Sequence, residues 1–258
     1  MTSPTTTPRG TTRRLPTNVS YGSWELIWSH VHQVLVVNAG FAAGCLPLLA
    51  ALAATHQPWR HPVPFTLLWL CVGPALAGVF GYLERAADDG AGSARAVELP
   101  RAYRRLFRRA AALWTPYALL AAVCGTDAVL LRHTAVGLAV CPALALVAVG
   151  SALSGVHAMV LAATAAPGRP LSPADYLAAP YGLLRRPASA LANLVVLVAA
   201  AALVDRAPLL GLAVLPGCAL YVVWRNALSG LRSAPGGPSP RSRRPRTSAR
   251  SSRAGAPR

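Results

Sequence analysis

Residues 33–54 read QVLVVNAGFAAGCLPLLAALAA, without a single charge, and the fold turns on how this stretch is read. About 20 mostly apolar residues carry a helix across the hydrocarbon core of a bilayer. Ala and Leu favour helix, and the run lacks the period-two alternation of a lipid-facing barrel strand. A membrane-crossing helix is therefore expected. Five further runs follow: 64–83, 111–131, 134–156 (the head of an apolar stretch lasting to Pro167), 187–204 and 207–224. Only Asp205-Arg206 separates the last two. At the centre of a single span that pair would be costly, whereas in a hairpin turn it meets water, so two short helices are expected. Arg132 and His133 form an equally short turn between the third and fourth runs.

The composition agrees. Of 258 residues, 54% are hydrophobic and 13% charged, and the mean hydropathy is +0.43; the charged share is about half that of a soluble domain. The net charge is +17, and all 25 basic residues are arginine. A pI near 11.3 would also suit a nucleic-acid binder. The arginines, however, avoid the apolar runs and gather between them, so no specific nucleic-acid partner is expected. Residues 1–19 and 229–258 are rich in Arg, Ser, Thr, Pro and Gly and have little to bury, which predicts disordered tails. Between them, 20–228 reads as an all-α domain: a polytopic transmembrane helix bundle of about six spans, with interfacial amphipathic helices.

Six spans place both termini on one side. That side then holds 22 of the 25 arginines; the other holds Arg60, Arg132 and Arg206. Arginine flanking short loops stays cytoplasmic, so the expected location is the cell membrane with both ends in the cytoplasm. Arg13-Arg14 and Ala51-Leu52-Ala53 resemble parts of a cleaved leader, but the apolar run is too long and the pair too far upstream for one. Ser20–His32 carries Trp24, Ile27, Trp28 and Val31 at helical spacing and reads as an amphipathic helix in the cytoplasmic interface. Arg101, Arg104, Arg105, Arg108 and Arg109 recur every three or four residues around Tyr103 and Leu106-Phe107. This is the pattern of a basic helix on the inner leaflet, with those arginines contacting anionic lipid headgroups. Ser172–Leu184 opens with a Ser-Pro helix start and is expected at the same surface.

Several of these words occur in a familiar order. Val37-Asn38 and Cys45-Leu46-Pro47 lie in the first run, and Gly73-Pro74-Ala75-Leu76-Ala77 leads through Phe80-Gly81-Tyr82-Leu83 into a charged loop. Arg101–Trp114 (RAYRRLFRRAAALW) then enters a third span. The pattern, over about 20–200, resembles the YesL-like family of bacterial integral membrane proteins. A longer Gln57–Pro64 connection and the Arg-rich tail depart from it. The resemblance implies a non-enzymatic accessory or scaffolding role linked to carbohydrate uptake, with a sugar transporter component as partner. The alternative is a small-molecule transporter or permease subunit.

Few residues suggest chemistry. Asn38, His157, Asn193 and Asn226 fall on the cytoplasmic half and could line a shallow pocket, although interhelical hydrogen bonding is the commoner use of such residues. Asp127 lies inside the third run and is the candidate for an intramembrane proton or cation carrier, yet it sits one turn from Arg132. The five cysteines fall inside spans with no C-x-x-C and no histidine at ligand spacing, so they read as small packing residues. Gly40 and Gly44, Gly150 and Ser154, and Ser151 and Gly155 form small-xxx-small pairs. Pro47, Pro74, Pro116, Pro142 and Pro216 are candidate kinks. No phosphate loop, nucleophile elbow or acidic metal cluster is present, so neither enzymatic activity nor a cofactor nor a metal is expected.

Overall fold

A computed structural model describes residues 19–55, 62–88, 95–166, 168–206 and 208–232. The expected tails 1–18 and 233–258, His56, His61 and most of the Gln57–Pro64 connection lie outside the described residues. The described residues are helical apart from short connections and contain no strand. Its helices are α1 (Val19–Gly44), α2 (Leu46–Ala54), α3 (Pro62–Trp69), α4 (Val72–Asp88), α5 (Glu98–Leu131), α6 (Ala135–Thr164), α7 (Pro173–Arg185), α8 (Pro187–Arg206) and α9 (Pro208–Arg232).

Prolines divide two of the expected spans. Pro47 has no N–H for the Ala43 carbonyl, and the chain turns by 67° between α1 and α2 at Cys45. The run 33–54 is thus a broken unit rather than one straight helix. Further along, Leu70 and Cys71 close onto Leu67 and Leu68 in i→i−3 bonds of 3.2 and 3.1 Å just ahead of Pro74. That tightened turn joins α3 to α4, and Val63–Asp88 still forms one unit of crossing length. Arg186, which precedes Pro187, leaves the helical region (φ −137°, ψ 66°), as a residue before proline does, and α8 departs from α7 at 96°. Pro116, Pro142 and Pro216 lie within continuous helices.

Elsewhere the helices run further than expected. The basic stretch at 101–109 is not a separate interfacial helix but the first part of α5, a continuous helix of 34 residues. At 1.5 Å per residue this is about 51 Å, well beyond the roughly 30 Å hydrocarbon core. Likewise 20–32 is continuous with 33–44 in α1, α6 extends through His157 to Thr164, and α9 reaches Arg232, so residues 229–232 belong to a helix rather than to the tail. Val63–Asp88, α5 and α6 are each long and apolar enough to cross a membrane. The pairs α1–α2 and α7–α8 pass the same test only as bent units, giving three to five candidate crossings. Residues 187–206 and 208–232 form two helices, α8 and α9, packed on each other, as Asp205-Arg206 predicts.

The core forms around α4. Every residue from Gly73 to Leu83 is buried, as suits a segment apolar on all sides, and α1, α5, α6 and α9 surround it. Its glycines admit their neighbours: a β-carbon at Gly73 would meet Trp114 Cγ at 2.3 Å, and one at Gly81 would meet Leu106 at 2.9 Å. The α5–α6 hairpin is as tight as the sequence implies. Thr134 caps α6 by accepting from the Gly137 N–H at 3.0 Å, and a β-carbon at Gly137 would lie 1.7 Å from the Leu131 carbonyl oxygen.

Candidate functional site

The four polar residues expected to share a pocket enter three different helix contacts. Asn38 on α1 accepts through Oδ1 from the Gly217 N–H of α9, beside Pro216. Glycine is needed there, because a β-carbon would come within 2.8 Å of that same Oδ1. Asn226 Nδ2 on α9 donates to Asn193 Oδ1 on α8 at 2.9 Å. His157 on α6 lies against α7, its Nε2 only 3.1 Å from where a β-carbon of Gly182 would sit. The structure thus joins Asn193 to Asn226 and gives Asn38 and His157 separate partners. Asp127 is half-buried on α5.

The five candidate headgroup arginines also divide. Arg109 is withdrawn from the surface: its side chain is 16% exposed, one Nη donates to the Arg169 carbonyl at 3.1 Å, and the other lies 3.7 Å from Asp175. Arg101 pairs with Glu98 at 2.8 Å, and the other Glu98 oxygen takes Arg85 of α4 at 2.9 Å. Arg104, Arg105 and Arg108 are exposed.

Around Arg109 lies a junction that residue spacing did not reveal. Asp175 accepts from the Ser172 backbone N–H at 2.9 Å, forming part of a capping box at the start of α7. It also takes Arg169 at 3.1 Å. The Ser172 N–H, and then the Arg169 and Arg109 charges, hold the Asp175 carboxyl below its ordinary range. The Tyr117 hydroxyl donates to the Tyr176 carbonyl, tying α5 to the same helix. A capping box at 172–175 is legible in sequence; the arginine reaching it from 66 positions upstream is not.

Trp114 forms a second hub. Its indole lies between Gly73 of α4 and Gly155 of α6, and Nε1 donates to the Trp69 carbonyl at the end of α3, 3.2 Å away. The bond serves a carbonyl at a helix end, a group without its regular helical donor. All five cysteines are free thiols.

Two side-open apolar grooves, each of about 470 Å³, mark the surface. One runs between α3 and α5 past Phe65, Trp69, Ala118 and Ala122. The other separates α1 from the start of α5 and is lined by Gly40, Ala43, Gly44, Leu99, Pro100 and Tyr103. Among the described residues, no cluster of three or more His, Cys, Asp or Glu is arranged to hold a metal ion. Compared with protein-family models, curated proteins and solved structures, the chain matches none.

Proposed function

We propose that this chain is a six-span integral membrane protein with both termini in the cytoplasm, acting as a non-enzymatic accessory or scaffolding component. In that reading the bent pair α1–α2 and the helices α8 and α9 supply the crossings beyond the three long units, with α7 lying at the cytoplasmic surface. Support for the orientation comes from the sequence, where 22 of 25 arginines share one side of the six-span layout. The observation that carries the functional reading is the use made of the buried asparagines. Asn38 and Asn193, at 7% and 8% exposure, are bonded helix to helix, which is how polar side chains hold a bundle together in lipid.

The resemblance to the YesL-like family adds carbohydrate uptake as the setting and a sugar transporter component as the partner. The broken helices favour a second reading, as a transporter or permease subunit, since discontinuous spans build substrate sites in transporters. One pair of experiments separates them. The accessory reading expects the full chain to co-purify with a permease and to move no sugar, ion or proton in liposomes by itself. Solute flux by the purified chain alone would overturn it. Reporters fused after Arg258 and at Arg132 are expected on opposite sides, cytoplasmic and external.

A further inference from the structure

We propose that the groove between α1 and the start of α5 holds one anionic phospholipid, an acyl chain lying along Gly40–Gly44 and its headgroup meeting Arg101 and Arg104. The site rests on the chain being a membrane protein and goes beyond a diffuse attraction of basic residues to the inner leaflet. Two helical stripes form it. Val36, Ala39-Gly40 and Ala43-Gly44 make one face of α1, and Leu99-Pro100 and Tyr103 make one face of α5, with Ala96 in the turn just ahead of it; residues three and four apart share a helix face. The stripes touch where Leu99 seats on Gly40, within 2.4 Å of where a β-carbon would be, and where Tyr103 approaches Gly44. Between those contacts the small residues leave the groove open at the side. Phe107, 43% exposed and with its ring centroid 5.6 Å from that of Tyr103, continues the apolar path along α5.

The rim carries the complementary charge. Glu98 alone serves both Arg85 and Arg101, and Arg105 lies near enough to feel the charges of Arg85 and Glu98. Arg104 follows Tyr103 directly, is exposed, and has no ion pair among the described residues; the same holds for Arg108. A free phosphate would satisfy these arginines but leave the groove empty, and a neutral helix would fill the groove but leave the charge uncompensated. An anionic phospholipid does both.

The test is native mass spectrometry of the full chain in detergent, titrated with dioleoyl phosphatidylglycerol and, separately, dioleoyl phosphatidylcholine. One phosphatidylglycerol is expected to bind ahead of any phosphatidylcholine. Arg104→Gln should weaken that first binding about fivefold, the factor for one arginine near an anionic surface, and leave phosphatidylcholine unchanged. Ala43→Phe should abolish the first binding by filling the groove. Ala39→Phe, at another exposed lining position, does the same should the first variant fail to fold, and Arg132→Gln at the far end of α5 should change nothing. Equal retention of the two lipids, wild-type binding by both groove-filled variants, or displacement of the lipid by inorganic phosphate would each overturn the site. So would a dimer whose dissociation opens the groove. Protein that stays soluble without detergent would overturn the membrane reading instead.

Discussion

Gly73→Ala tests whether α4, α5 and α6 are held together through the Trp114 indole. The new β-carbon would sit 2.3 Å from Cγ and 2.4 Å from Cβ of Trp114, more than about 1 Å inside the normal separation of carbon atoms. Cβ is fixed by the backbone, so no rotamer change removes that contact. Nor does the ring have room to retreat, because its far edge already lies 2.7 Å from where a β-carbon at Gly155 would be. The helices must part. Overpacking a closed site costs about 1–3 kcal/mol, and a clamped ring places this case near the top. Straining the bond from Nε1 to the Trp69 carbonyl adds about 0.6 kcal/mol, the average for an interhelical hydrogen bond in lipid. At about 2–4 °C per kcal/mol for a chain of this size, the melting temperature in detergent should fall by roughly 10 °C. The control is Gly125→Ala on the same helix as Trp114, where a β-carbon meets nothing within 4 Å; its shift should be under about 0.5 kcal/mol. In a Trp114→Gly background, which removes the β-carbon along with the indole, Gly73→Ala should lose most of its cost. Equal shifts for the two glycines, or an undiminished cost without the indole, would refute the reasoning.

Other expectations follow from the junctions around α7 and α9. Asp175→Ala removes the capping-box carboxylate and both arginine contacts, and should cost about 1 kcal/mol at neutral pH, the scale of a lost helix cap. Because folding lowers the Asp175 pKa, its contribution is complete above the ordinary aspartate value of about 3.9 and is lost as pH falls through the lower folded value. Melting curves of wild type and variant should therefore converge below about pH 4; divergence in acid would contradict the assignment. Asn193→Ala and Asn226→Ala should each cost about 0.6 kcal/mol, and the double variant no more than either single one, since both remove the same bond. Additive losses would show that the two side chains act separately.

The class of fold was legible in the one-dimensional pattern, because crossing length and lack of charge are properties of a segment and need no partner. That is why the apolar runs at 64–83, 111–131 and 134–156 fall within helices of crossing length, and why Arg132-His133 turns a hairpin. Where local chemistry acts on the next few residues, it was also readable: Pro47 and Pro187 stand beside the two sharp bends, and Ser172 opens α7. What the prolines would do was not readable, since Pro116 and Pro142 sit within continuous helices while Pro47 accompanies a turn of 67°. A missing hydrogen bond allows a bend, and the packing of neighbouring helices determines whether it is taken.

The sites depended on the same long-range packing. Helical spacing put Arg101–Arg109 on one basic helix, but only the fold drew Arg109 inward to Asp175 and left Arg104 outside. Depth along the runs grouped four polar residues, whereas orientation about each helix axis sent Asn38 to α9, His157 to α7, and Asn193 and Asn226 to each other. By itself, the sequence determined helix, apolar length and where along the chain the charge gathers, because each is a sum over neighbours in the chain. The tertiary structure decided which faces meet, because a contact such as Gly73 with Trp114 depends on the relative rotation of two helices, which no single segment encodes.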